Sequence, residues 1–306
     1  MGEREITVGG RTIQLSSLDK VLFPESGITK GNLITYYRRM AATMVPFMEG
    51  RPLTMHRFPN GIGASGFYQK EAPDYFPEWI RRVCIAVEEE GGEEQPQIIC
   101  EERATLVYLA NQACITPHIW PSRVDKLHYP DKLIFDLDPS GNDFALVRET
   151  ALDLQQLLSE VGLVPFVMTT GSKGLHVVVP LKRTAGFDFV RALARDLAGV
   201  LAQRKPDKYT VAMRKRKRGG RIFLDYLRNS FAQNSVTPYA VRARPGAPVA
   251  TPLEWDEVDD KQLHSQRYTI KNIFRRLGQK EDPWQQMMAQ ARTLEPARRR
   301  LGQRST

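Results

Sequence analysis

The stretch KLIFDLDPSG (132–141) reads as a β-strand made for a protein core, apart from two acids two residues apart. Strand side chains alternate, so Ile134, Asp136 and Asp138 share one face while Leu133, Phe135 and Leu137 take the other. The two carboxylates then stand side by side, their α-carbons roughly 7 Å apart. Each loses solvation if buried, and the two repel. A divalent cation relieves both problems, and hard oxygen ligands suit magnesium or manganese. Taken alone, the pattern fits equally well with acids that cap the following helix or lie in solvent beside Pro139.

The order of the surrounding elements favours the cation. Residues 143–161 have helical apolar spacing, with Phe144, Val147, Ala151, Leu154, Leu158 and Val161 on one face and Gly162 as the stop. Strands PFVMTT (165–170) and LHVVVP (175–180) follow, joined by GSKG, and then a second helix over 187–203. Strands KYTVAM (208–213) and RIFLDYL (221–227) flank the basic loop RKRKRGG, whose bland reading is a solvated hairpin tip touching a nucleic-acid backbone at most. Apart from one extra strand, this is the βαββαβ order of a ferredoxin-like or RNA-recognition-type sheet, in which the first strand is central, with the third and last as neighbours. Asp225 would then lie beside Asp136 and Asp138.

The segment entering the third strand, TTGSKGLHV, brings Ser172, Lys173 and His176 to the same surface. Gly171 and Gly174 permit a tight turn in which backbone N–H groups and a Ser hydroxyl meet phosphate oxygens. GSKG alone also makes an ordinary hairpin, and a lone His176 among valines reads as a core residue. Three acids beside such a loop point further, to two-metal phosphoryl transfer. Two divalent ions bridging the carboxylates would activate a 3′-hydroxyl and clamp a nucleotide triphosphate. An RNA-recognition domain would place aromatic residues at these positions to stack bases; here they are Asp and His.

Composition sets the bounds. The 306 residues can bury a sizeable core, and the net charge of +9 suggests a polyanionic partner. No apolar run is long enough to span a bilayer, and MGERE does not read as a signal peptide. Cys84, Cys100 and Cys114 lack a CxxC spacing, which argues against a disulfide framework and fits a reducing cytoplasm. A zinc site on Cys114 and His118 lacks two further ligands. In the first third, a helix is expected over TKGNLITYYRRMAATMVPFM (29–48) with Thr29 as N-cap, and EEEGGEEQP (88–96) reads as a solvated turn between strands. ATLVYLANQA (104–113) is helical in spacing, and RARPGAPVATPLEW (242–255) is extended. HSQRYTIKNIFRRLG (264–278) and DPWQQMMAQARTLE (282–295) predict two terminal helices, and PARRRLGQRST (296–306) a frayed basic end.

DLDP (136–139), TTGSKGLHVVVP (169–180) and IFLDYLRNS (222–230), in this order and spacing, resemble the archaeo-eukaryotic primase superfamily. More closely, about residues 10–290 resemble the polymerase domain of bacterial ATP-dependent DNA ligase D, a non-homologous end-joining protein. The further segments that carry the likeness are LDKVLFPESGITKGNLITYY (18–37), RPLTMHRFPNG (51–61), GFYQKEAP (66–73), PHIW (117–120) and PYAVRARPGAPVATPLEWDEV (238–258).

The resemblance implies an α+β, primase-like fold with the ferredoxin- or RRM-like βαββαβ catalytic sheet packed against an N-terminal α/β module, and C-terminal helices. It divides the chain into residues 1–103 for the DNA end and template, 104–240 for the catalytic core and 241–306 to complete one polymerase domain. It implies that Asp136, Asp138 and Asp225 hold two Mn²⁺ (or Mg²⁺) ions, Asp225 also serving as the catalytic third carboxylate. Ser172, Lys173, Gly174 and His176 match its triphosphate-binding segment, His118 a nucleotide contact, and Arg242 and Arg244 basic residues near the phosphates. Lys20 and Lys30 match residues that hold a 5′-phosphate, for which lysine is a suitable point charge. Phe67 and Tyr68 match an aromatic pair that stacks on template bases, an interaction worth about 1–3 kcal/mol per base.

Each of these has a bland alternative: an exposed helix-end His118 beside Trp120, a charged loop at Arg242 and Arg244, surface lysines, and a hydrophobic plug at Phe67 and Tyr68. Two positions depart from the family pattern, Tyr68 in place of Phe and Arg228 where a Gln is expected.

The function implied is a nucleotidyltransferase that adds ribo- or deoxyribonucleotides to a primer 3′-end at gaps and broken DNA ends. Ribonucleotides and manganese are the family's preference. Expected partners are DNA ends and gapped duplex, NTP or dNTP, ligase and phosphoesterase domains of the same polypeptide, and Ku. The expected state is a monomer in the bacterial cytoplasm, associated with the nucleoid and not with a membrane. A metal-dependent nuclease could use the same acids but needs no triphosphate loop. A non-catalytic end-binding module would need the lysines and aromatics but not the acids.

Overall fold

The computed structural model describes residues 4–87, 91–139, 141 and 143–303. The chain forms two compact units interleaved in sequence, one from residues 1–120, 234–250 and 268–274, the other from 121–233, 251–267 and 275–306.

The second unit contains the βαββαβ pattern. Its six-stranded sheet runs in the order Tyr209–Thr210, Ile222–Asp225, Lys132–Asp138, Leu175–Pro180, Phe166–Thr169 and Pro252–Leu253. All neighbours are antiparallel except the first two, which run parallel. The acid-bearing strand is central, between the third strand and the last, as the topology predicts. Leu133, Phe135 and Leu137 are wholly buried on its apolar side. Helices Phe144–Glu160 and Phe187–Arg204 pack against the sheet through apolar stripes. Asp143 starts the first, its carboxylate accepting from the N–H groups of Ala145 and Leu146 at 2.9 and 3.4 Å.

Three expectations change here. The strand at 208–213 shortens to Tyr209–Thr210, because Arg218 takes up the backbone just beyond it. The Arg218 guanidinium donates to the carbonyls of Ala212 and Met213 and lies 4.3 Å from the Phe223 ring centre. The RKRKR run is not a hairpin tip, because the strands on either side of it run parallel, and it includes a 3₁₀ turn, Lys215–Lys217. The two predicted terminal helices reduce to one turn, Ile273–Leu277, and a 3₁₀ turn, Met287–Gln290. Trp284 is 2 % exposed and donates its indole N–H to the Val167 carbonyl at 3.1 Å, an anchor that sets the path of the chain there. The segment expected to fray is helical over Glu295–Gly302 instead, with Pro296 in the first turn, where proline is favoured, and Ala297 and Leu301 buried. Residues 304–306 lie outside the described residues.

In the first unit, helix Lys30–Met48 begins in a capping box formed by Thr29 and Asn32 and packs against helix Arg103–Asn111. Two tyrosines tie it to its surroundings, Tyr36 donating to the Tyr239 carbonyl at 2.7 Å and Tyr37 to that of Ile115 at 2.6 Å. The sheet of this unit runs Ser235–Val236, Cys114–Ile119, Pro52–Arg57, Glu94–Ile99 and Arg82–Ala86. Strand Phe67–Gln69 pairs with the second half of Pro52–Arg57. The acidic segment expected as a turn over 88–96 is shorter: its residues 94–96 belong to the strand Glu94–Ile99, which pairs antiparallel with Arg82–Ala86, and its residues 88–90 lie outside the described residues. Among the described residues, no helix is long and apolar enough to cross a membrane.

Candidate functional site

Within the second unit, register places the acids. Asp136 pairs directly with Asp225 on one side and with His176 on the other. Asp136 has a 13 % exposed side chain, and it is held by His176 Nε2 at 3.4 Å and by two nitrogens of Arg228, each at 3.4 Å. Burial works against its charge, but His176 and Arg228 outweigh it and hold the carboxyl down at about 2. Asp138 sits at the exposed end of the strand. The protein crowded around it and the charge of Asp136 push its carboxyl up from the usual carboxylate range. Asp225 is also raised, by burial and by Asp136, although its Oδ1 accepts from the Leu227 N–H at 2.8 Å.

These are hard oxygen donors with more negative charge than the neighbouring cations relieve, the condition that a divalent ion satisfies. The donor set therefore fits the implied metal. Among the described residues no three His, Cys, Asp or Glu side chains enclose a metal position in this arrangement, and Asp136 is turned toward His176 and Arg228.

The GSKG loop abuts the acids at the backbone. A Cβ built on Gly174 would lie 1.9 Å from the Leu137 carbonyl oxygen and 2.8 Å from Asp138 Oδ1, so only glycine lets loop and strand meet this closely. Gly171 takes φ +63° at the turn. One detail differs from expectation. The N–H groups of Ser172 and Gly174 donate inward to Thr170 Oγ1, at 3.3 and 3.2 Å, so these two are spent on the loop itself. What the loop presents at its outer side is the Ser172 hydroxyl and the exposed Lys173. Both line a cavity of about 440 Å³ with Pro139, Phe144 and the segment 264–266.

Two residues here escaped the sequence reading. Arg228, noted only as a departure, is the cation on Asp136. Asn229 is buried and bonded on three sides: its Oδ1 accepts from the Ile134 N–H at 2.8 Å, and its Nδ2 donates to the carbonyls of Ile134 and Tyr226 at 2.7 and 2.8 Å. The strand Ile222–Asp225 pairs with the central strand only over Asp136–Asp138, and the Asn229 amide takes the place of the missing strand partner at Ile134. Asn229→Ala should destabilise the protein by about 2–3 kcal/mol, because a buried N–H and a buried C=O lose their partner. A shift of the urea midpoint at unchanged slope checks this, and a shift of only a few tenths of a kcal/mol refutes it.

The first unit holds the other candidates. Phe67 and Tyr68 are 45 % and 61 % exposed on their short strand, and so form no plug under the loop. Arg57 lies 5.6 Å from the Phe67 ring centre. Tyr68 stacks on His56, its partner in register, with ring centres 4.1 Å apart and planes 11° apart. His118 is buried in the strand Cys114–Ile119 and not exposed at a helix end; its ring centre is 5.7 Å from that of Tyr68. Arg242 is half-buried, bonded through its N–H to the Pro248 carbonyl at 2.7 Å, while Arg244 is exposed. Lys20 and Lys30 flank the hairpin Val21–Phe23/Ile28–Thr29, joined by a backbone bond of 2.8 Å. The Lys20 ammonium reaches Asn60 Oδ1 at 3.0 Å. That of Lys30 is turned inward to Ser16 Oγ and the Asn111 carbonyl, at 3.2 and 3.0 Å, and burial lowers its pKa.

His56, unremarked in the sequence, is therefore the support under Tyr68. Burial, helped by the charge of Arg242, lowers its pKa to about 4, from an ordinary 6.5. The unfolded chain binds a proton that the folded chain refuses between these values, so this contribution is complete above pH 6.5 and is lost as pH falls toward 4. His56→Phe should flatten that part of the stability–pH curve and keep the stack. A variant curve parallel to that of the parent would refute the assignment.

Comparison with known proteins follows the same lines. The family model of the LigD primase-polymerase domain matches residues 29–284. The multifunctional non-homologous end joining protein LigD of Mycolicibacterium smegmatis is 34% identical over 259 residues, covering 84% of this chain and 34% of that protein. The bifunctional LigD of Bacillus subtilis is 29% identical over 274 residues, covering 89% and 43%. Among solved structures, the polymerase domain of Mycobacterium tuberculosis ligase D in complex with DNA superposes with a TM-score of 0.85 at 32% identity, covering 91% of this chain and 99% of that one. The chain thus spans about a third of the length of the mycobacterial relatives. With its central acid-bearing strand, a loop glycine packed against that strand and the match over most of its length, the chain belongs to the LigD primase-polymerase domain family.

Proposed function

We propose that this chain extends the 3′-end of a primer at gaps and broken DNA ends, as the polymerase component of non-homologous end joining. The observation that carries the reading is the pairing of Asp136 with Asp225, beside a loop whose Gly174 touches the backbone of the same strand. Asp136, Asp138 and Asp225 would hold two divalent ions, manganese by family likeness. The ions, when bound, stabilise charge on the attacking and leaving oxygens of an in-line displacement.

The protein's own share is positioning. Ser172 and Lys173 orient the phosphate tail, and His176 keeps Asp136 ionised and aimed. In the first unit, Tyr68 on its His56 support and Phe67 offer faces for template bases, which suits sequence-tolerant stacking. Lys20 and Lys30 are proposed for a 5′-phosphate, and His118, Arg242 and Arg244 for the nucleotide. Ribonucleotide preference and partnership with Ku and with ligase and phosphoesterase domains are proposed on the same family grounds.

The test is extension of a labelled primer on a gapped duplex bearing a 5′-phosphate, with Mn²⁺ and each NTP and dNTP in turn. Lengthening supports the proposal, and the NTP/dNTP ratio gives the sugar preference. Shortening of the primer would point to a nuclease. Binding without any change of length would leave an end-binding module.

A further inference from the structure

The triphosphate loop is held from behind by a segment distant in sequence. Ser265 is buried and donates to the Gly174 carbonyl at 2.9 Å, with its Oγ also 3.1 Å from Thr170 Oγ1. Thr170 Oγ1 is the atom that gathers the N–H groups of Ser172 and Gly174. One residue on, Gln266 donates its Nε2 to the Ser172 carbonyl at 2.8 Å. His264 lines the same cavity as Ser172 and Lys173. The segment is itself a closed turn. Arg267 pairs with Asp260 at 2.5 Å, and the N–H groups of Leu263 and Gln262 return to the Asp260 carbonyl and carboxylate, both at 2.9 Å.

We propose that Ser265 and Gln266 are positioning residues for the nucleotide: they fix the conformation in which Ser172 and Lys173 face a phosphate tail, and so govern nucleotide affinity. The inference rests on the proposed polymerase function for its ligand, an NTP triphosphate with divalent metal. The physical argument concerns preorganisation. A loop of two glycines has many conformations in isolation, and every one that must be lost on binding weakens the complex. Here two side-chain hydroxyls, those of Thr170 and Ser265, and the Gln266 amide remove that freedom beforehand. Neither residue needs to touch the nucleotide.

The experiment uses Gln266→Leu and Ser265→Ala in steady-state primer extension with nucleotide varied, alongside gapped-duplex binding and the thermal unfolding midpoint. Equilibrium dialysis with Mn²⁺·ATP reads the loop even if the parent extends no primer, so failure of the polymerase reading is distinguishable from failure of this one. Loss of a single neutral hydrogen bond predicts a rise of about five- to ten-fold in nucleotide KM and in the Mn²⁺·ATP Kd. The kcat should stay within about two-fold and duplex binding should be unchanged, because uniform binding is lost without a change in the chemical step. Gln266→Glu should be worse than Gln266→Leu, since it sets a negative charge against the Ser172 carbonyl and in the phosphate cavity. An unchanged KM and Kd in both variants would overturn the inference. So would a fall in kcat that tracks a lowered unfolding midpoint, which would make the segment a structural support only.

Discussion

If the proposed function holds, Asp136→Asn should lower the rate of primer extension by at least about 10³-fold, since the carboxylate proposed to hold a divalent ion would supply charge stabilisation worth several kcal/mol. The substitution is close to isosteric, and the fold should survive it. His176 can still bond the amide oxygen, and Arg228, with 41 % of its side chain exposed, can turn to solvent. The stability change is therefore expected to stay near 1–2 kcal/mol, well below the roughly 3–5 kcal/mol seen when a fully buried pair is broken. Single-turnover extension at saturating nucleotide, with the unfolding midpoint measured on the same samples, separates the two effects. A variant that keeps more than about a tenth of the parental rate, a deficit below 1.4 kcal/mol, would remove Asp136 from the chemistry.

Gly174→Ala should damage stability and activity together, through space and not through backbone angles. Its new methyl would sit 1.9 Å from the Leu137 carbonyl oxygen and 2.8 Å from the carbonyl carbon, both fixed in the central strand. Either the loop lifts or the strand bends, and overpacking of this kind costs about 1–3 kcal/mol or more. The third contact is Asp138 Oδ1, also at 2.8 Å, so the displaced group is a proposed metal ligand. A misplacement near 1 Å can cost about 10²-fold in rate, which is the loss expected below the unfolding transition. Gly199→Ala is the matched control. It lies in helix Phe187–Arg204 with nothing within 4 Å of its Cβ, and should stabilise by about 0.5–1 kcal/mol without touching activity.

The sequence displayed the catalytic sheet because its signals are local and periodic. Alternation in KLIFDLD, two apolar helical stripes and the glycines of GSKG determine the order of elements, and topology then sets Asp225 beside Asp136. The first helix was equally legible, since Thr29 and Asn32 make a capping box that depends on nothing distant. The tail was not. Its segments lack enough regular apolar spacing to outweigh single anchors, such as Trp284 reaching Val167, and its one sustained helix, Glu295–Gly302, has a proline in its first turn and then a run of arginines that read as solvated.

Supporting residues were hidden for a related reason. Asn229, Ser265, Gln266 and His56 act through one or two hydrogen bonds or a ring face, each to a residue brought near only by the fold. Arg228 was visible as an oddity but had no partner until the strand and the following 3₁₀ turn were placed. Of the aromatic pair, exposure could not be read from GFYQK alone; it follows from a three-residue strand at the margin of its sheet.

The direct pairing of Asp136 with Asp225 has an evolutionary corollary. Side chains change face at every step along a strand, so moving either strand by a single residue would send a carboxylate into the hydrocarbon interior occupied by Leu133, Phe135 and Leu137. Insertions and deletions are therefore barred between Lys132 and Asp138 and between Ile222 and Asp225. The turn around Lys215–Lys217 is free to lengthen, because a loop absorbs added residues at an entropic cost that grows only slowly with its length. Length variation among descendants of this sequence should accumulate in that arginine- and lysine-rich turn, and the strands Lys132–Asp138 and Ile222–Asp225 should stay constant to the residue.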